Sequence, residues 1–304
     1  MKSRAHGKGA STAEVPVYRT EANRAGLMSI YEAKLRLWPV RSETFFAATR
    51  YGRTHVIASG DPASPPVVLL HPEATGALAW APLFPALAGR YRIYAPDTIG
   101  DVGRSELDDF DVYPKKGGDF SAWLGDLYTE LGISRADVIG GSMGGWIAMH
   151  HAISAPDSVC KLVLLGPMGL PSWRATLKLL GPMMSLAFRP TDAKRDEMIR
   201  RGFGNGERVN REMGPWMKIA GKCRGRVGWP VKIPDAALRT ITAPTLLFLG
   251  GQDGAVGSAT AAADRARRTI ARCQIEILPG AGHLMIFDEP EFIGGRTAEF
   301  LADA

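Results

Sequence analysis

The sequence predicts an α/β protein: a mostly parallel, doubly wound sheet flanked by helices and interrupted by a helical insertion. Three observations carry this. Several short runs, Val67–Leu70 first among them, are apolar throughout, as strands are when both faces of a sheet are covered. From residue 67 onward such runs alternate with stretches of helical periodicity, the rhythm of right-handed crossovers between parallel strands. The rhythm breaks between Gly169 and Asp235 and then resumes, which marks a helical insertion over one end of the sheet.

The elements follow in order. Leu27, Ile30, Tyr31, Leu35 and Trp38 recur at helical spacing, so a helix is expected over 22–38, stopped by Pro39. Residues 44–49 and 54–59 read as a hairpin turning at Tyr51-Gly52. After the strand at 67–70, helix is expected over 78–89, strand over 92–95, helix over 119–131, strand over 136–140, helix over 143–155 and strand over 161–165. Beyond the insertion come strand 245–249, helix 258–271, strand 274–278 and helix 289–302. The expected organisation is a flexible stretch over 1–20, a core domain over 21–168 and 236–304, and the insertion over 169–235.

Composition narrows the functional classes. In 304 residues, 45% hydrophobic and 22% charged, there is ample material for a core, and no run approaches the roughly 18 apolar residues of a membrane span. Cys160, Cys223 and Cys273 lie far apart, which excludes a disulfide scaffold and a thiolate zinc site. The basic opening MKSRAHGKGASTAE has no apolar segment of the kind a secretory signal carries, and a cytoplasmic protein is expected. The net charge is +6, and between Arg189 and Lys232 there are 12 basic and 5 acidic residues, a local excess of 12 − 5 = 7. The basic residues are scattered among Asp, Glu and Gly without a nucleic-acid motif, so the alternatives are a solvated face or attraction of an anionic or carrier-borne substrate. Neither nucleic acid nor membrane is an expected partner. A monomer and a homodimer are both compatible with the chain.

The chemistry is concentrated at strand ends. Gly140-Gly141-Ser142-Met143-Gly144 fits G-x-S-x-G directly between a strand and a helix, the setting of a strained serine nucleophile on a turn too tight for neighbouring side chains. The helix beginning beneath Ser142 favours negative charge there. Of six histidines, His6 lies near the terminus, and His55, His150 and His151 read as structural. His71 ends the first buried strand. His283 lies in a glycine-flanked loop after the last strand, where a base can reach the carboxyl edge of the sheet. Asp253, after the strand TLLFLG, is the expected orienting acid, and Asp97, after an earlier strand, is expected to fix a loop. There is no Walker loop, and GGSMGGW lacks the spacing of a dinucleotide fingerprint, so no cofactor or metal is expected.

Together VVLLH, PDTIGDVGRS, GGSMGGW, LFLGGQD and GAGHLMIFDEPEF resemble the α/β-hydrolase fold superfamily, in its cap-bearing esterase, perhydrolase and C–C hydrolase branch, from about residue 44 to 302. The chain order Ser142, Asp253, His283 is the order of that superfamily. The resemblance implies that 169–235 is a helical cap, or lid, over the pocket. It also implies an oxyanion hole made by the backbone N–H of Met143 and, by matching position, of Glu73. Where the family commonly has His-Gly, this chain has His71-Pro72-Glu73, and Pro72 has no N–H to give. The Glu73 carboxylate either turns outward into an ion pair or faces the pocket and acts on the substrate. His71, Trp146, Met168, Trp173, Trp216 and Leu284 are the candidate pocket residues, with plain core packing the alternative for the Trp and Met side chains of the insertion.

The implied activity is hydrolysis of a carboxylic ester of a small organic molecule through an acyl-enzyme. Alternatives on the same triad are an acyltransferase, cyclase or thioesterase, and a C–C bond hydrolase. A receptor that uses only the pocket is the remaining reading.

Overall fold

In a computed structural model, which describes residues 17–170, 191, 193–194, 206–223, 225 and 227–303, a nine-stranded sheet organises the chain. Its strands are β1 (Ser42–Thr49), β2 (Gly52–Ser59), β3 (Pro66–Leu70), β4 (Arg92–Pro96), β5 (Glu106–Leu107), β6 (Ala136–Gly141), β7 (Val159–Leu165), β8 (Thr245–Gly250) and β9 (Cys273–Leu278). The spatial order is β1-β2-β4-β3-β6-β7-β8-β9, with the two-residue β5 at the side of β2. β1, β2 and β5 pair antiparallel, and β3, β4 and β6–β9 run parallel. All the parallel strands therefore present their carboxyl ends along one edge, where ligands bind in open α/β sheets.

The helices are α1 (Glu21–Arg36), α2 (Phe84–Leu87), α3 (Gly117–Glu130), α4 (Met143–Ser154), α5 (Gly206–Ala220), α6 (Asp235–Leu238), α7 (Ala259–Thr269), α8 (Met285–Asp288) and α9 (Pro290–Ala302). Successive residues of a strand face opposite sides, so Val67 and Leu69 join one core layer with residues of α1, α2 and α9, while Val68 and Leu70 join the other with α3, α4 and α7. That two-sided burial explains why the central strands are apolar without alternation.

Two expectations need correction. The helix expected over 78–89 is a 3-10 turn at Ala77–Trp80 followed by the single turn of α2, because Pro82 and Pro85 each lack the N–H that continuous helix needs. The stretch expected to be flexible over 1–20 is held by its last residues: Val17 and Tyr18 are buried, and the Tyr18 hydroxyl donates to the Gly103 carbonyl. α1 begins at a Thr20 cap, whose hydroxyl accepts from the Asn23 N–H, and ends at Arg36, short of the expected 38.

Arg265 of α7 joins the chain at Gly169–Leu170 to the chain at Ile233–Asp235. Its buried guanidinium donates to the carbonyls of Gly169, Leu170 and Ile233 and pairs with Asp235 at 2.7 Å, while the Ile233 N–H donates to the Gly169 carbonyl at 3.0 Å. Chain departure and return are thus cross-linked at one charge-assisted node.

His151 on α4 adds a pH-dependent term to stability. Ser158 Oγ donates to the Ala155 carbonyl and so accepts from His151 Nε2 at 2.9 Å, leaving Nδ1 to accept from Ser121 Oγ at 3.0 Å. Burial lowers this histidine from 6.5 to about 4. The folded state keeps it neutral where the unfolded chain takes up a proton, so its contribution is full above pH 6.5 and is lost as pH falls through 4. Urea unfolding should therefore give wild type a loss between pH 7 and pH 4 that exceeds that of His151→Leu by about 3 kcal/mol. Equal losses would sink the assignment.

Candidate active site

The residues expected to react meet at the carboxyl edge of the sheet. Ser142 follows β6 and caps α4 with φ 51° and ψ −115°, a conformation that costs a non-glycine residue of order 1–3 kcal/mol. Its backbone N–H donates to the Leu165 carbonyl of β7, and its carbonyl accepts from Trp146 and Met168, so both sides of the turn are tied. The glycines around it have steric causes. A Cβ at Gly144 would lie 1.9 Å from the Leu70 carbonyl oxygen, and one at Gly140 would lie 2.5 Å from the Gly144 carbonyl oxygen. The end of β3 and the start of α4 can approach this closely only over glycine.

His283 Nε2 is 2.8 Å from Ser142 Oγ, and His283 Nδ1 is 2.9 Å from Asp253 Oδ2. The other carboxylate oxygen, Asp253 Oδ1, accepts from the Ala255 N–H at 2.8 Å and the Val256 N–H at 2.9 Å. A carboxylate only accepts, so Nδ1 carries the ring proton and Nε2 is left to accept from the serine hydroxyl. Ser142, Asp253 and His283 are all buried.

The loop after β3 is held as firmly. The Pro72 carbonyl accepts from His71 Nδ1 at 2.8 Å, from the Thr75 hydroxyl at 2.7 Å and from the Thr75 N–H at 3.2 Å. The last bond closes a turn with Ala74 at φ 63°, the signature of type II, which normally takes glycine there. A trans peptide directs its N–H opposite to its C=O, so pinning the Pro72 oxygen also aims the Glu73 N–H. Pro72 packs on the elbow, within 3.1 Å of a Cβ built at Gly141.

Two carboxyls of this region are raised above the ordinary carboxylate range. Burial lifts Asp101 to about 7, although the Ala74 and Val102 N–H groups bonded to it pull the other way and Asp97 adds repulsion. Burial and then Asp101 lift Glu73 to about 7. Glu73 is nevertheless solvent-exposed, which screens its charge, so the effect is firmer at enclosed Asp101. Among the described residues no ion pair holds Glu73, and most of the basic residues of the insertion lie outside them.

Of the candidate pocket residues, Leu284 lines an apolar pocket against His283, together with Pro72, Trp80, Gly141, Leu165 and Met285. His71 does not line it: the ring is locked between the Pro72 carbonyl and the Thr98 N–H, which donates to Nε2 at 2.8 Å, and burial lowers its pKa. Trp146 is buried and donates to the Val231 carbonyl at 2.9 Å, joining α4 to the returning end of the insertion. Met168 packs at the edge of the core layer shared with α4. Trp216 is buried on α5 and donates to the Ala74 carbonyl. Trp173 lies outside the described residues.

Asp97 fixes loops, as expected, accepting from the N–H groups of Ala77 and Arg104, the Tyr31 hydroxyl and His55 Nδ1. Asp101 was missed. Its only sequence signal is its position four residues beyond Asp97 in the same strand-end loop.

The chain is similar to known hydrolases. A model of the alpha/beta hydrolase family matches residues 67–294. Carboxylesterase YbfK of Bacillus subtilis (strain 168) is 29% identical over 280 residues, covering 89% of this chain and 92% of its own length. The uncharacterized carboxylesterase nap of the same strain is 29% identical over 279 residues, 89% of this chain and 90% of its own. Among solved structures, the naproxen esterase (carboxylesterase NP) from Bacillus subtilis superposes with a TM-score of 0.82 at 27% identity, covering 92% of this chain and 98% of that one.

Proposed function

Because the chain belongs to the alpha/beta hydrolase family, we propose that it is a serine carboxylesterase acting on a small organic ester through Ser142, His283 and Asp253. The observation that carries this is the unbroken hydrogen-bond chain from Ser142 Oγ through the His283 ring to Asp253, with a carboxylesterase relative spanning 89% of the sequence. His283 Nε2 takes the hydroxyl proton as Ser142 Oγ attacks the ester carbonyl, and it returns that proton to the leaving alkoxide. Asp253 keeps the imidazole in the accepting tautomer and stabilises the imidazolium. The negative oxygen of each tetrahedral intermediate lies toward the Met143 N–H, at the positive end of α4, and the Glu73 N–H. Water, deprotonated by His283, then releases the acid. The 169–235 insertion is the cap over this edge, and the small apolar pocket beside His283 lies against the reacting groups.

The test is labelling and turnover together. A fluorophosphonate should modify Ser142, and p-nitrophenyl esters should turn over with kcat/KM well above that for a matched thioester or a 1,5-diketone. Turnover of the diketone alone would replace this reading with C–C hydrolysis. The local excess of seven positive charges favours an anionic acyl group as the natural substrate. Its kcat/KM should then fall as salt rises from 0.1 M to 1 M, where the Debye length shrinks from about 10 Å to about 3 Å, while a neutral ester responds little. Equal responses would leave the basic segment a solvated surface.

A further inference from the structure

The turn that aims the Glu73 N–H contains a non-glycine residue in the left-handed region, and both peptide groups flanking that residue are held from outside the turn. The Ala74 N–H donates to Asp101 Oδ2 at 2.8 Å, and the Ala74 carbonyl accepts from Trp216 Nε1 at 2.8 Å. The two partners come from different parts of the chain. Asp101 is enclosed in the loop after β4, where its other oxygen accepts the Val102 N–H at 2.7 Å. Trp216 belongs to α5, inside the insertion, and its ring is fully buried against Tyr31 of α1 with centroids 5.9 Å apart. The same indole closes over Gly76, where a Cβ would come within 3.1 Å of it.

We propose that Asp101 and Trp216 are positioning residues that hold the Glu73 N–H in its oxyanion-binding orientation, and that Trp216 thereby couples the seating of insertion helix α5 to catalytic rate. This rests on the acyl-transfer reading above. The physical reason is the φ of 63° at Ala74, which an L-residue adopts only at a cost relative to ordinary backbone because its Cβ crowds the neighbouring carbonyl. Without its two external bonds the turn relaxes toward negative φ and the peptides on either side rotate; the Thr75 N–H then turns away from the Pro72 carbonyl, and the Glu73 N–H on that same peptide loses part of what aims it at the place where charge develops. An oxyanion donor acts on the transition state more than on the bound substrate, so the loss falls on kcat and leaves KM nearly unchanged.

The experiment compares wild type with Trp216→Phe, which removes the N–H donor and part of the indole but keeps an aromatic ring, and with Asp101→Asn, which keeps the shape of the side chain while one oxygen acceptor becomes a donor. Active sites are counted by fluorophosphonate titration at Ser142, so that every rate is per competent enzyme. Removal of a whole oxyanion donor costs about 10²–10³ in kcat, and misplacing one should cost about tenfold to a hundredfold. Each variant should lose that much kcat, bind a boronic acid transition-state analogue more weakly by a similar factor, and keep its KM within about twofold. Adding Ala74→Gly should restore much of the lost kcat, because glycine adopts the left-handed conformation without the penalty. A merely structural role would lower the titrated fraction and leave kcat per site and analogue affinity untouched. Should Trp216→Phe not fold, Asp101→Asn with and without Ala74→Gly decides alone. Wild-type values of kcat and analogue affinity in a folded variant, or no recovery with Ala74→Gly, overturn the clamp. Failure of wild type to label at Ser142 would instead overturn the acyl-transfer reading, so the two failures are separable.

Discussion

Ser142→Ala should lower kcat/KM by on the order of 10⁴- to 10⁶-fold while moving the melting temperature by no more than a degree or two. In the proposed mechanism the Ser142 hydroxyl is the protein group that attacks the substrate carbon, and His283 Nε2, 2.8 Å away, takes its proton in that step. Alanine keeps the Cβ and therefore the strain stored at φ 51°, so stability changes little. Ser142→Gly separates the two properties. It should be equally inactive, yet it should lose the backbone penalty of order 1–3 kcal/mol, partly offset by the greater freedom of glycine in the unfolded chain. Thermal unfolding of both variants beside wild type, with turnover of one p-nitrophenyl ester, makes the comparison. Activity above a tenth of wild type in either variant would remove Ser142 as nucleophile.

What the sequence reveals and what it hides follow the same physical line. Ser142 and Asp253 are legible because each sits just after an apolar strand, and His283 because its glycine-flanked loop follows the last strand; parallel strands bring their carboxyl ends to one edge whatever lies between them in the chain. Gly140 and Gly144 are legible for a similar reason: a strand-to-helix turn pressed against the next strand leaves no room for a side chain. The clamp on Ala74 had no such signal. Its partners lie 27 and 142 residues away, and neither an Asp in a strand-end loop nor a Trp in a helical insertion declares which carbonyl or amide it will meet. His71 and Trp146 illustrate the converse. Both residue types suit a pocket, one following the strand that pairs with the elbow strand and the other four residues beyond Ser142, yet their polar atoms are spent on backbone groups, Pro72 and Thr98 for one and Val231 for the other. Proximity to a site is readable from pattern. Side-chain direction depends on which backbone groups are left unpaired nearby, and that depends on the folded structure. The break at 78–89 was readable and was missed: Pro82 and Pro85 forbid a continuous helix there, however well its apolar spacing fits one.

Asp253→Asn should reduce kcat by about 10⁴-fold although it changes one atom and almost no volume. The bonding around the carboxylate dictates the reason. Asp253 Oδ1 accepts two backbone N–H groups, from Ala255 and Val256, and Oδ2 accepts the Nδ1–H of His283. An asparagine must leave its single oxygen with the two N–H groups, because reversing the amide would set its NH₂ against both donors and forfeit two buried hydrogen bonds. The NH₂ then faces His283, Nδ1 becomes the acceptor, and the ring proton moves to Nε2. In that tautomer Nε2 points a proton at Ser142 Oγ and cannot receive one, so the nucleophile loses its base while every heavy atom stays where it was. The imidazolium formed during attack also loses its countercharge. The loss should therefore be largest near neutral pH and shrink at high pH, where hydroxide removes the serine proton without the histidine. A pH–rate profile of Asp253→Asn whose kcat rises toward alkaline pH, beside a flat wild-type plateau, is the expected result. A variant that keeps wild-type kcat at neutral pH would mean that another carboxylate orients the ring. Among the described residues Asp97 is not available for this, since its two oxygens are taken by Ala77, Arg104, Tyr31 and His55.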